Sequence, residues 1–200
     1  MTLFLLGLIV FFLPHLFTAF LRGAREALMR RIGEGAYKGL YSVVSAIGLA
    51  LIIVGWPAAG DAFPTPLYVA NFALVHVVYV LTLAALVLLA AAYLPAGKIA
   101  AAAKHPMLLG VKLWAFAHLL VNGEVRSLIL FGSFLAYGVV DRIAVKVRGA
   151  PTRAAGPWTN DLVAVLVGGA AWGGVFLFLH PSIAGVPVPG AAQIRALIGL

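Results

Sequence analysis

Long apolar runs, separated by short segments rich in charge, proline or glycine, dominate the chain. Because about 20 apolar residues in a helix cross the hydrocarbon core of a bilayer, runs of this length predict membrane-spanning helices. Four runs are almost free of charge and cover residues 2–21, 40–56, 67–94 and 162–180. The pattern therefore predicts an all-α polytopic transmembrane helical bundle.

Two further runs, 107–121 and 127–140, are shorter than a usual span. They predict either two thin spans or one re-entrant hairpin. We favour two spans, because no long polar segment is available to cover a hairpin inside the membrane. The expected architecture is a single domain, residues 1–200, with about six spans.

Local signals place the ends of some of these helices. Trp56-Pro57 predicts the end of the second span. Thr159 or Asn160 is expected to N-cap the last helix, which puts Asp161 in its first turn, where a negative charge is favoured. The first run lacks the charged start and the cleavage pattern of a signal peptide, so we expect a retained helix.

The composition favours a membrane protein over several other classes. Of the 200 residues, 64% are hydrophobic and only 10% are charged, and the net charge is +8. Basic residues stand between apolar runs rather than across a polar surface, so the expected partner is the lipid bilayer and not a nucleic acid. The absence of cysteine excludes disulfides, iron–sulfur clusters and cysteine-bound zinc.

The basic residues are distributed unevenly among the connections. Alternate connections hold most of them, which under the positive-inside rule places these connections in the cytoplasm and both termini outside. The first connection, residues 22–38, predicts a short interfacial helix that is either a charged topology anchor or a lipid- or partner-binding patch. The basic residues assigned to the cytoplasmic side are Arg22, Arg25, Arg30, Arg31, Lys38, Lys98, Lys104, Arg142, Lys146, Arg148 and Arg153.

All five histidines lie in or at the ends of predicted spans, where an ionisable residue is a functional candidate. His15 follows Pro14 inside the first span. Apolar and aromatic residues share its helix face, an environment that suits an axial ligand of a flat hydrophobic cofactor. A histidine hydrogen-bonded to a neighbouring helix fits the same pattern. The residues on that face are Leu8, Phe11, Phe12 and Ala19.

His118 has Trp114 four residues before it and Asn122 four residues after it, on the same helix face. An amide or carbonyl that orients one imidazole nitrogen is the arrangement that a ligating histidine requires. His76 belongs to an aromatic stripe, which lines the same cavity or serves helix packing. The other members of the stripe are Tyr68, Phe72 and Tyr79.

His105 and His180 each precede a proline at a predicted membrane boundary. His105 is expected to hold a turn or bind anionic headgroups, and His180 is expected to cap the outer end of the last helix. We expect neither to be a metal ligand.

Histidine is the expected haem ligand, because the chain has no Cys and only three Met. Counting along the helices puts His15 and His118 at depths that one macrocycle could bridge. All six acidic residues lie outside the predicted spans, which disfavours a zinc site with a carboxylate ligand. The predicted iron ligands are His15 and His118, and the further cofactor-binding residues are Trp114, Asn122 and His76.

Several motifs resemble those of the NnrU family. They include Lys104-His105-Pro106-Met107-Leu108, Lys112-Leu113-Trp114-Ala115, Ala117-His118-Leu119-Leu120, Asn122-Gly123 and Leu130-Phe131-Gly132-Ser133-Phe134-Leu135. His15, Gly33-Glu34, Asn160-Asp161 and His180-Pro181 are further matches, so the resemblance covers nearly the whole chain.

The resemblance implies a bacterial inner-membrane protein linked to nitrite and nitric oxide reductase activity. A relative, 15-cis-ζ-carotene isomerase, is a haem b enzyme, and His15 and His118 look like the counterparts of its two ligands. The isomerase has a further histidine after its second span, where this chain reads Trp56-Pro57-Ala58-Ala59-Gly60. That difference puts isomerisation by ligand exchange in doubt.

The leading hypothesis is a haem b protein that supports denitrification, in contact with a nitrogen-oxide reductase. One alternative is a haem-dependent cis-trans isomerase of a carotenoid-like polyene, and another is a structural chaperone for a reductase. A lesser alternative follows from His105-Pro106-x-x-x-Gly110, which is similar to a motif of S-adenosylmethionine-dependent membrane methyltransferases.

Overall fold

The computed structural model describes residues 1–69 and 71–199, with the exception of the Phe72 side chain. Within these ranges the chain forms helices joined by loops and contains no strand, which confirms the all-α prediction. The chain divides into two compact units, Met1–Pro64 and Thr65–Leu200. The predicted place of Phe72 in the aromatic stripe lies outside the described residues.

The N-terminal unit is a pair of long helices with a short helix between them. Helices α1 (Thr2–Phe20) and α3 (Glu34–Ala62) pack along their length, and α2 (Arg22–Ile32) connects them. Glycines bring the two long helices together, because a Cβ at Gly48 or Gly55 would overlap the backbone of α1. Small residues permit this approach in membrane helices, where van der Waals packing drives association.

Two predicted boundaries in this unit are wrong. The helix predicted over residues 22–38 ends at Ile32, because Gly33 adopts a left-handed φ of 87° and starts a new helix direction. Pro57 does not end the second span, since α3 continues through it to Ala62. A proline inside a helix removes one backbone donor but is tolerated in membrane helices, where neighbouring groups satisfy the freed carbonyl.

The C-terminal unit places α4 (Val75–Tyr93) between two other long helices. One is α6 (Pro106–Val121), which also packs against α7 (Val125–Val147). The other is α8 (Trp158–Gly174), which continues through a π-helix (Val175–Leu179) into α9 (His180–Ala184). The short helices α5 (Lys98–Ala103) and α10 (Ala191–Leu197) complete the unit, and a 3₁₀ turn (Phe72–Leu74) precedes α4.

Five helical stretches in the described ranges are long and apolar enough to cross a membrane. They are α1, α3, α4, α7 and the continuous run Trp158–Ala184. Helix α6 has 16 residues, or about 24 Å at 1.5 Å per residue, and brings the number of apolar helices to the predicted six. The third predicted span starts too early, since its helix begins at Val75 rather than at residue 67. The fifth is longer than predicted, with 23 residues.

Polar side chains near the start of α8 hold the ends of α4 and α5. The Arg153 guanidinium donates to the carbonyl oxygens of Ala91, Ala92 and Leu94 at 2.7–2.9 Å, where α4 ends. The Asp161 carboxylate accepts hydrogen bonds from the Lys98 and Ile99 backbone N–H groups, both at 2.9 Å, at the start of α5. These bonds satisfy backbone groups that helix ends leave unpaired.

The same segment confirms one expectation about the last helix and corrects another. Asp161 lies in the first turn of α8, as predicted. The N-cap position is Pro157, not Thr159 or Asn160, since the helix begins at Trp158. Asn160 donates its side-chain amide to the Ala96 carbonyl oxygen at 2.9 Å instead.

Replacement of Gly55 by alanine is expected to destabilise the N-terminal unit. The added methyl group forces α1 away from α3, and overpacking of this kind costs about 1–3 kcal/mol. Gly39→Ala on the same helix is the matched control, because its Cβ meets no atom within 4 Å. Thermal unfolding in detergent, followed by circular dichroism, measures the difference. Equal melting temperatures for the two variants would contradict the close packing.

Replacement of Arg153 by lysine is expected to lower the free energy of unfolding by about 1.5–3 kcal/mol. Lysine keeps the charge, but its single ammonium group cannot reproduce the planar fork that serves three carbonyl oxygens. Arg30→Lys, at an exposed position of α2, is the control. Denaturant titration measures both variants, and an unfolding midpoint of Arg153→Lys equal to that of Arg30→Lys would refute the capping role.

Candidate functional site

A cavity of about 300 Å³ lies within the C-terminal unit. Helices α4 and α6 form two of its walls, α8 and the π-helix form a third, and residues 186–189 form a fourth. Its volume is at the lower end of ligand pockets, which measure about 300–1,000 Å³. The lining is mostly apolar and aromatic, and it includes Val78, Leu86, Trp114, Trp172 and Phe176.

His118 lines this cavity from α6, and its ring is fixed by a backbone carbonyl. The Trp114 carbonyl oxygen lies 2.8 Å from Nδ1 of His118. Because a carbonyl oxygen can only accept, Nδ1 carries the proton, and the neutral ring keeps its lone pair on Nε2. The Phe131 ring stacks on His118 with centroids 4.4 Å apart. The imidazole is therefore held in one orientation and one tautomer.

Trp114 and Asn122 both line the cavity together with His118. Trp114 supports the histidine with its carbonyl group and with its ring, whose centroid lies 5.2 Å from that of His118. Asn122 has another task, because its side-chain amide donates to the His118 carbonyl oxygen at 2.8 Å. The carbonyl of Trp114, and not the amide of Asn122, orients the imidazole.

His180 also lines the cavity, where capping of the last helix was the expectation. Its ring lies 6.5 Å from that of His118 between centroids, and the two planes differ by 15°. Nδ1 of His180 lies 2.9 Å from the Val186 carbonyl oxygen, so this ring also keeps its lone pair on Nε2. A uniform helical period cannot reveal this placement, because the π-helix before His180 changes the face on which it emerges.

Other polar groups of the cavity wall already have protein partners. The Trp172 indole N–H donates to the Thr82 hydroxyl oxygen at 3.0 Å, and this hydroxyl donates to the Val78 carbonyl oxygen at 2.8 Å. The Tyr79 hydroxyl donates to the Pro189 carbonyl oxygen at 2.6 Å. The polar groups of these three side chains are therefore engaged within the protein, whereas each of the two histidines has a second ring nitrogen, Nε2, that its carbonyl partner does not use.

His15, in the N-terminal unit, has a similar local arrangement. Its Nδ1 lies 2.7 Å from the Phe11 carbonyl oxygen, and the Phe11 ring stacks on the imidazole with centroids 4.4 Å apart. The Tyr41 ring of α3 lies 5.0 Å from the same imidazole. Leu8 and Ala19, predicted on the His15 face, are buried.

His76 and His105 lie outside the cavity lining. His76 is exposed, and its ring contacts Tyr79 at 6.1 Å between centroids. His105 occupies the N-cap position of α6, and Pro106 follows at the first helical position. Burial lowers the pKa of His105, and the nearby charges of Arg142 and Arg148 lower it further.

The methyltransferase-like motif has a structural explanation in α6. His105-Pro106 forms the start of the helix, and Gly110 packs against α4, where a Cβ would lie 2.9 Å from the Ala85 carbonyl oxygen. The spacing between the proline and the glycine thus serves a turn and a helix contact. None of these residues is part of the cavity lining, so the motif gives no support to a cofactor site there.

The donor set suits a haem better than a bare metal ion. No cluster of three or more His, Cys, Asp or Glu side chains occurs in the part of the chain that the structure describes. A protein-bound zinc ion usually needs three or four such ligands. A haem macrocycle supplies four nitrogens itself, so one or two histidines with a fixed tautomer are enough.

Comparison with known proteins identifies the family. The family described as NnrU protein matches residues 3–188, a range that contains His15, His118 and His180. No curated protein and no solved structure matches the chain. Since the family match extends over most of both compact units, the chain belongs to the NnrU family.

Proposed function

We propose that this NnrU-family protein is a membrane haem b protein that supports nitrite and nitric oxide respiration in the bacterial plasma membrane. The observation that carries the proposal is His118, a histidine with a fixed tautomer in an apolar cavity. The link to nitrogen oxides is what the resemblance to this family implies, and the chain's membership of the family supports it. The charge asymmetry of the connections supports periplasmic termini.

His118 would hold the iron through Nε2, and a bound haem would supply one-electron redox chemistry. The Trp114 carbonyl keeps the proton on Nδ1 and raises the basicity of the ring, as partners of ligating histidines do. The Phe131 ring prevents rotation of the imidazole. Trp172 and Phe176 contribute apolar surface that keeps water away from the site.

The second ligand named by the sequence, His15, stays a prediction. Only the immediate surroundings of His15 support this role. The Phe11 carbonyl and ring hold its imidazole in the way that the Trp114 carbonyl and the Phe131 ring hold His118. With two histidine ligands, a bound haem would supply electron transfer and not a site for nitrite. This ligation therefore favours electron transfer or a sensory role over direct chemistry on nitrite, and a nitrogen-oxide reductase is the proposed partner.

Replacement of His118 by alanine is expected to abolish most haem binding. The wild-type chain and the variant are expressed with excess haem and purified in detergent, and their reduced-minus-oxidised absorbance spectra are compared. The wild type should show the sharp bands of b-type haem. His76→Ala, at an exposed position outside the cavity, should keep them. A colourless wild type, or equal haem content in His118→Ala, would refute the proposal.

A second candidate function is cis-trans isomerisation of a polyene, and the apolar lining of the cavity favours a lipophilic substrate. Co-expression with a pathway that accumulates cis-ζ-carotene tests it. Conversion to another isomer by the wild type, with no conversion by His118→Ala, would establish this activity. An unchanged isomer distribution would leave electron transfer or sensing as the role of the haem.

A further inference from the structure

The π-helix marks His180 as a residue with a special position. Stretches of π-helix are rare and often occur at functional sites. Here five residues, Val175–Leu179, separate the end of α8 from His180. The wider turn shifts all later residues around the helix axis. His180 consequently lines the cavity together with Phe176, the buried member of this stretch.

A second feature fixes the ring of His180. Helix α9 ends at Ala184, and Gly185 adopts a left-handed φ of 73° that turns the chain back. This turn brings the Val186 carbonyl oxygen within 2.9 Å of Nδ1. His180 is therefore prepared in the same way as His118, with the proton on Nδ1 and the lone pair on Nε2.

The separation of the two rings fits two bonds to one metal ion. Their centroids are 6.5 Å apart, at the far end of the range for offset-stacked rings, so the two rings are close enough to share one bound ion. Two imidazoles bound to opposite sides of one metal ion have centroids roughly 6 Å apart, because each metal–nitrogen bond is about 2 Å long and each centroid lies about 1 Å behind its nitrogen. The 15° angle between the planes places the rings nearly parallel.

We propose that His180 is the ligand opposite His118 on the iron of the bound haem, so that the C-terminal unit alone supplies both axial ligands. This inference rests on the proposed haem binding at His118. It assigns the second position to His180 in place of the sequence-based candidate, His15. The two histidines supply two nitrogens and the macrocycle supplies the other four, which completes six-coordinate iron.

The spin state of the ferric haem tests the assignment in the full-length protein. Two histidine ligands give low-spin iron, and loss of one gives high-spin iron, which electron paramagnetic resonance and absorbance both detect. We expect low-spin iron in the wild type and in His15→Ala, and high-spin iron in His180→Ala with most of the haem retained. His76→Ala is the matched control. Added imidazole should return His180→Ala to low spin, because it fills the vacated position.

Each alternative result has a distinct meaning. Low-spin iron in His180→Ala together with high-spin iron in His15→Ala would overturn the inference and leave haem binding at His118 intact. High-spin iron in the wild type would also overturn it, because the second position would then lack a histidine. If His180→Ala fails to fold, His180→Gln replaces it and is judged by the same spectra. A colourless wild type would overturn both the inference and the proposed function.

Discussion

Backbone carbonyl oxygens are the acceptors on which this structure depends. In an apolar environment a polar side chain without a partner is costly, and helix ends offer carbonyl groups that would otherwise be unpaired. Arg153 uses three of them to hold the end of α4. His15, His118 and His180 each place Nδ1 on a further carbonyl oxygen, which lies inside α1, inside α6 and after α9 respectively. The need for an acceptor thus joins helices and fixes the tautomer of each imidazole.

The fold class could be predicted because apolar runs of membrane length leave few alternatives to helices. The boundaries were less predictable where tertiary contacts outweigh local preferences. Helix α3 passes through Pro57, and α8 begins before the polar residues expected to cap it. Asn160, one of the two expected caps, binds the Ala96 carbonyl instead, and Asp161 in the first turn binds the backbone at the start of α5. Local propensity could not show this, because the partners are about 60 residues away in sequence.

The site was predictable only where its residues lie on a regular helix. His118 and Trp114 lie four residues apart on a regular helix, so their shared face follows from the helical period, and both line the cavity. His180 was missed as a cavity residue because its position depends on the irregular turn before it. His76 shows the opposite case, because its aromatic stripe fitted either a cavity position or helix packing, and the side chain is exposed outside the cavity lining.

The fourth wall of the cavity, residues 186–189, differs physically from the helical walls. It lies between Gly185 and Gly190, both in left-handed conformations. Two hydrogen bonds to the cavity residues His180 and Tyr79 hold it, through the carbonyls of Val186 and Pro189. Its displacement would cost those two bonds, about 1–3 kcal/mol in total, and would break no helix. This wall can therefore move while the helices that line the rest of the cavity stay intact.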